Sequence, residues 1–259
     1  MHIYIYDTFV NQKKYDATAA RIETRITDLG LNGKIVRLGV MNSVDEVIEN
    51  EMKKGAKTII VVGNNNIFNK AVNAVARTSE EVTLTKRVPL GFIPVGKKDN
   101  DIAGFFGMGF EEEACSIISA RRIQKLDLGL ANNYYFLTEA TIPTQGTNIE
   151  IDQSYSLQNG ENGDISIINF ATNTTLPKNF SSSAQDSVLD LYIEKKKDKK
   201  FFRKNRESSK QSIIPFKSLT IINKTKPVTI DRTVKINTPV NIQIAKQKID
   251  LIVGKGRDF

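Results

Sequence analysis

The chain has one cysteine, one histidine and no long apolar run, and each shortage removes a class of chemistry. Cys115 alone cannot form an internal disulfide, which fits a reducing compartment and a cytoplasmic location. On its helical stretch it reads as a small buried side chain. With only His2, beside the start of the chain, neither a His-based triad nor a His/Cys metal site can be assembled. No run reaches the roughly 18 apolar residues that a membrane helix needs. The opening Met1-His2-Ile3-Tyr4-Ile5-Tyr6-Asp7 reads as a strand and lacks the basic-then-apolar layout of a signal peptide.

What is present is ordinary in amount and uneven in placement. At 259 residues the chain can bury a proper core and is long enough for two modest domains; 40% apolar and 25% charged residues suit a globular protein. The net charge is +8, and nine basic against three acidic residues between Glu194 and Lys210 supply +6 of it. Phe201 and Phe202 sit inside that segment, between Lys195, Lys196 and Lys197 on one side and Arg203 on the other. A solvated hairpin has this composition, and so does a segment that docks on an anionic lipid surface, where each cation contributes about 1 kcal/mol. Nucleic acid is not indicated, since no recognisable binding motif accompanies the charge.

The first half alternates strand and helix. A strand at 2–6 leads to a helix with Tyr15, Ala19, Ile22, Ile26 and Leu29 on one face, stopped by Gly30 and Gly33. A strand at 34–40 follows, and Ser43-Val44-Asp45-Glu46 has capping-box spacing for a helix that Gly55 ends. Strands at 58–62 and 90–94 and helices through Val75 and over 111–121 complete a β-α-β-α order. That order predicts a parallel sheet covered by helices, with ligands at the carboxyl ends of its strands. From about Arg122 short alternating strands take over: 123–130 and 134–142 around Asn132-Asn133, then 165–170, 188–193, 219–222, 228–230, 240–244 and 249–253, with an exposed loop at 172–183. The expectation is an α/β nucleotide-binding-type domain over 1–125 and an antiparallel β-sandwich over 126–259, whose last strand can return to the first domain.

The most informative stretch runs from Thr58 to Val75. A β-branched run ends at Gly63, passes through Asn64, Asn65 and Asn66, and becomes helical at Ile67. Such a strand-to-helix turn is where α/β proteins hold phosphate on exposed backbone N–H groups. Here most of the residues that such a loop uses for chemistry are missing.

At this point the order of elements and several local patterns resemble the diacylglycerol kinase catalytic family, lipid kinases that include sphingosine and bacterial lipid kinases. Its Gly-Gly-Asp-Gly-Thr loop, followed by x-x-Glu-Val-x-Asn-Gly, is similar to Gly63-Asn64-Asn65-Asn66-Ile67 and Phe68-Asn69-Lys70-Ala71-Val72-Asn73-Ala74. The best match is Leu90-Gly91-Phe92-Ile93-Pro94-Val95-Gly96-Lys97-Lys98-Asp99-Asn100-Asp101-Ile102-Ala103, against Leu-Gly-(Ile/Phe)-Ile-Pro-x-Gly-Thr-Gly-Asn-Asp-(Phe/Ile)-Ala with one residue inserted. Ile123–Gly129 followed by Tyr134–Leu137 looks like the family's passage into its β domain. Gln185-Asp186-Ser187-Val188-Leu189-Asp190 resembles Asp-Asp-Gly-x-Leu-Asp, and Ile230-Asp231-Arg232-Thr233 stands where the family has Ile-Asp-Gly-Glu.

The resemblance implies ATP, held by Gly63, Asn64, Asn65, Asn66, Ile67, Gly96, Lys97, Lys98 and Asn100, and Mg²⁺ on oxygens of Asp99, Asp101 or Asp186. It implies a cleft lined by the Gly63, Gly96 and Asp231 segments. Phosphoryl transfer needs cradled phosphates, a cation and a carboxylate to orient the attacking hydroxyl. Thr233 occupies the position of the family's base beside Asp231, Asn65 that of its loop aspartate, and the family's Asn-Pro-x-x-Gly after the first strand is replaced by Asp7-Thr8-Phe9-Val10-Asn11. Three readings follow. One is a lipid-kinase fold with eroded motifs, a pseudoenzyme that binds nucleotide or lipid. Another is an active ATP-dependent lipid kinase using Asp99, Asp101 or Asp231 as substitute carboxylate. The third is a module that docks through its basic segment, peripheral at a membrane or on an acidic partner.

Overall fold

The computed structural model describes residues 1–39, 41–81, 87–152, 155–159, 163–171, 180, 182–195 and 211–257. They form two compact units, Met1–Leu126 with Gln247–Phe259, and Asp127–Lys246.

The first unit is built on β1 (His2–Tyr6), α1 (Asp16–Asp28), β2 (Gly33–Arg37), α2 (Val44–Lys53), β3 (Thr58–Gly63), α3 (Asn65–Glu81), β4 (Leu90–Pro94), α4 (Ile102–Phe105) and α5 (Glu112–Ala120). Its strands lie in the order β2-β1-β3-β4, all parallel. β3 is Thr-Ile-Ile-Val-Val-Gly and every residue of it is buried, the composition a strand needs when both sheet faces are covered. α1 presents Ala19, Ile22 and Ile26 to the core at helical spacing, and α2 is capped by Ser43, whose Oγ accepts the Glu46 amide at 3.2 Å. α3 runs on to Glu81, beyond the Val75 expected from the apolar pattern, and two short 3₁₀ turns (Thr8–Asn11 and Lys13–Tyr15) link β1 to α1. Cys115 is fully buried in α5, and burial pushes its thiol up to about 11, as expected of an inert core cysteine.

β5 (Ile123–Ala131) leads into the second unit. There follow β6 (Tyr134–Phe136), β7 (Glu139–Pro143), β8 (Thr147–Ile151), β9 (Tyr155–Asn159), β10 (Gly163–Ile168), β11 (Leu189–Lys195), β12 (Gln211–Phe216), β13 (Ser218–Asn223), β14 (Val228–Ile230) and β15 (Val234–Ile236). One antiparallel sheet has the order β12-β11-β10-β7-β14-β15; the other antiparallel set contains β13, β8 and β9 with the first half of β16 (Val240–Ile252). Ala140, Ile142, Ile165, Ile167, Leu191 and Ile193 from the first pack with Ile149, Ile151, Leu219, Ile221, Val240 and Ile242 from the second. Alternation sorts these residues inward, and β8 reads buried-exposed-buried throughout. The mixed α/β unit and separate antiparallel sandwich are the expected fold class.

Three strand readings need correction. The expected 240–244 and 249–253 are one strand, β16, which finishes in the first unit with Leu251 opposite Leu90, parallel to β4. Its middle, Ala245-Lys246-Gln247-Lys248, looked like a break because it is polar, yet polar residues suit the outward positions of a strand. The expected 134–142 is interrupted between Phe136 and Glu139, because the amides there bond a carboxylate instead of a strand. β8, β9, β12 and β15 are strands beyond those expected; β12 carries Pro215 and occupies a sheet edge, where a missing N–H is tolerated. The loop reading at 172–183 falls mostly outside the described residues.

In the β5–β6 hairpin, Ala131 pairs with Tyr134 around Asn132, whose φ of 54° suits the Asn-Asn turn, and Gly129 faces Phe136. A Cβ on Gly129 would lie 2.0 Å from the Phe136 ring, so the ring occupies the space that glycine leaves. Gly129→Ala should therefore cost about 1–3 kcal/mol, read as a lowered midpoint in urea unfolding of the full chain. An unchanged midpoint would mean that the ring moves aside freely.

Candidate functional site

In the sheet order β2-β1-β3-β4 the chain leaves β1 to one side and returns to β3 on the other. The carboxyl ends of β1 and β3 therefore mark the topological switch point, where open α/β sheets bind ligands. Asp7 follows β1, and Gly63 and Asn64 lead from β3 to α3. The place is crowded. A Cβ on Gly63 would stand 2.8 Å from Ile67 Cγ2 and 2.9 Å from Asp7 Cβ, so only glycine fits there.

A helix starts with backbone N–H groups that lack partners within the helix, and these normally receive an anion, a cap or water. At α3 the chain supplies the partners. Asn64 Oδ1 accepts the Asn66 amide at 3.0 Å and the Ile67 amide at 3.4 Å, and the Asn65 amide donates to the Asp99 carbonyl at 3.0 Å. Phe68 begins the helical ladder by donating to the Asn64 carbonyl at 3.1 Å. Asn65 Nδ2 also donates to Asp101 Oδ1, which brings a carboxylate to the positive end of the helix.

The turn after β4 is fastened to the same place. Gly96 and Asp99 have φ of 72° and 59°, left-handed values that glycine and aspartate tolerate better than most residues. Asn100 is buried, and its Nδ2 donates to the carbonyls of Val95 (3.0 Å) and Gly96 (2.7 Å). The Val95 amide reaches the Gly63 carbonyl at 2.8 Å, and the Gly96 amide faces Glu111 Oε1 at 3.4 Å. Lys97, Lys98 and Asp99 point to solvent. The structure thus gathers Gly63, Asn64, Asn65, Gly96, Asp99, Asn100 and Asp101 at one end of the first unit's sheet. Sequence reading missed Asp7 and Glu111 there. Asp7 has a signal, since it follows a predicted strand at the carboxyl edge; Glu111, with φ of 52°, has none.

In the second unit Asp231 is a structural clamp. It is 3% exposed with φ of 43°. Its Oδ1 accepts from the Thr138 amide (2.9 Å), the Thr138 hydroxyl (2.6 Å) and the Glu139 amide (3.2 Å), and its Oδ2 from the Leu137 amide (3.0 Å). Burial pushes its carboxyl above the ordinary range, against the pull of these four bonds. Thr233 lies two residues on, exposed, with its amide on the Ile230 carbonyl. Arg232 instead meets Glu139, a buried acid that sequence reading passed over, at 3.7 Å. Asp186 closes its own turn by accepting the Val188 amide at 3.0 Å. Among the described residues no group of three or more His, Cys, Asp or Glu side chains is arranged to hold a metal ion. Residues 196–210, and with them Lys196, Lys197, Phe201, Phe202 and Arg203, lie outside the described residues, as does the side chain of Lys195.

Residues 3–131 match the diacylglycerol kinase catalytic domain. The chain belongs to the diacylglycerol kinase catalytic-domain family. No curated protein matches it. A solved structure of diacylglycerol kinases from Bacillus anthracis strain Sterne superposes with a TM-score of 0.74 at 17% identity, over 99% of this chain and 98% of that one. A second from the same strain, proposed to be a diacylglycerol kinase, gives 0.74 at 17% identity over 98% and 97%. At such identity the likeness establishes the fold.

The role of Asp231 as a clamp is open to measurement. Asp231→Ala strands the Leu137, Thr138 and Glu139 amides in a buried place and should cost about 3–5 kcal/mol in denaturant unfolding. Thr233→Ala at the neighbouring exposed position should stay within about 0.5 kcal/mol. Equal effects at both positions would contradict the clamp.

Proposed function

We propose that this member of the lipid-kinase fold does not transfer phosphate from ATP and acts instead as a binding protein, a pseudoenzyme of the diacylglycerol kinase type. One observation carries the reading: the Asn65, Asn66 and Ile67 amides, the groups a nucleotide phosphate would need, are already bonded to Asp99 and Asn64. A triphosphate there would have to displace these acceptors and approach the carboxylate of Asp101, with that of Asp7 close to Gly63. The residues present therefore do not fit Mg-ATP. Asn64 and Asn66 add side chains where the family's loop has glycine, Asn65 replaces its aspartate, and Thr233 offers no base.

Calorimetric titration with Mg-ATP, compared with ADP, tests this directly. No heat of binding is expected up to several millimolar, an affinity weaker than about −3 to −4 kcal/mol. A micromolar to low-millimolar Kd, or ATP-dependent phosphorylation of diacylglycerol in mixed micelles, would overturn the reading and favour the active kinase with a substitute carboxylate among Asp99, Asp101 and Asp231.

The partner we propose is an anionic lipid surface, reached through the basic segment 195–206. The support is the +6 concentrated between Glu194 and Lys210 with Phe201 and Phe202 in its middle. No helix among the described residues is long and apolar enough to cross a membrane, so association would be peripheral. Co-sedimentation with phosphatidylserine vesicles should fall steeply as salt rises and on replacing Lys195, Lys196 and Lys197 by glutamine. Binding that is insensitive to both would remove the lipid surface as partner.

A further inference from the structure

The turn after β4 is held to the start of α3 at two points: the Asn65 amide on the Asp99 carbonyl, and the Asn65 side chain on Asp101. We infer that the Asn65–Asp101 pair is a latch that keeps the 96–101 turn shut over the end of α3, and that it can close because residue 65 is an amide. This rests on the reading above that the α3 end is internally satisfied, and it concerns what keeps it so.

The donor has one workable orientation. Asn65 carries a donor and an acceptor, Asp101 an acceptor at each oxygen, so only Nδ2 can face the carboxylate. Asn65 Oδ1 is then left buried without a hydrogen-bond partner, a cost that the charge-assisted bond to Asp101 offsets. The rest of the turn is poorly self-supporting. It contains left-handed residues at Gly96 and Asp99 and exposes Lys97, Lys98 and Asp99, while the Asn100 side chain donates to the turn's own carbonyls at Val95 and Gly96. Without the latch the Asn65 amide still donates to the Asp99 carbonyl, but the side-chain tie to Asp101 is gone. An aspartate at 65, the residue type at this place in the family's loop, would set two carboxylates against each other and push the turn open. The same amide thus removes a charge from the loop and shuts it.

Hydrogen exchange followed by mass spectrometry on the full chain, without nucleotide, tests the latch. Asn65→Asp should speed exchange of peptides covering 96–104 by at least about tenfold, the factor that loss of one charge-assisted bond supplies. Asp101→Asn should exchange nearly as the native chain does, since its amide oxygen still accepts from Asn65. The double variant Asn65→Asp with Asp101→Asn restores a donor–acceptor pair with roles exchanged and should return exchange to within about threefold of native. Peptides from β1 and β3 report in each variant that the unit is folded. Slow exchange in Asn65→Asp, fast exchange in Asp101→Asn, or a double variant as fast as Asn65→Asp would each overturn the latch. Nucleotide binding by the native chain would contradict the proposed function while leaving this exchange pattern unaffected, so the two failures are told apart.

Discussion

The start of α3 imposes the constraint around which the first unit is arranged. A 17-residue helix that follows a fully buried strand must find acceptors for its leading amides. Asn64 meets two of them with its own side chain, and the turn after β4 meets the third. That single requirement explains why the 96–101 turn lies where it does and why Asn65 points at Asp101. It also explains why Gly63 must stay bare, since Asp7 and Ile67 close on it from two sides.

An end of this kind can be satisfied in two ways, and they exclude each other. Glycines leave the amides open to a ligand and contribute nothing when the ligand leaves. An asparagine such as Asn64 caps the helix with its own side-chain oxygen, a cap being worth about 1 kcal/mol. The chain has taken the second course. The leading amides of α3 meet acceptors supplied by Asn64 and Asp99 of the chain itself. The gain is local stability at a site that a nucleotide-dependent protein has to leave partly unsatisfied until its ligand arrives.

Much of this was legible in the residues. The buried run Thr58–Val62, the Ser43 cap and the alternation of strand and helix all follow from local rules, and the structure obeys them because parallel strands covered on both faces need near-continuous apolar composition. The self-capping by Asn64 was half visible: three asparagines at a helix start announce a cap, yet which oxygen meets which amide depends on the turn some 35 residues later. The merged strand β16 and the edge strand β12 were hidden by polar residues and Pro215, whose tolerance is decided by which face or edge they occupy. Glu139 carries no motif, and Asp7 is marked only by its place after the first strand. Their places are set by the Asp231 clamp and by the packing against Gly63, both long-range in sequence.

In the second unit two left-handed turn positions are held by residues other than glycine. Ser187 and Arg232 stand where the family motifs have glycine, and both keep left-handed φ, 61° and 59°. A left-handed non-glycine residue costs roughly 1–2 kcal/mol, so something must hold each turn in place. For Ser187 it is buried Asp127, whose Oδ2 accepts the Ser187 amide at 2.7 Å. For Arg232 it is the neighbouring Asp231, anchored by four donors in the 137–139 segment. The clamps that fix these turns are carboxylates bonded to backbone amides and neighbouring hydroxyls. Buried side-chain anchors thus fix both turns, which is how serine and arginine can occupy left-handed positions there.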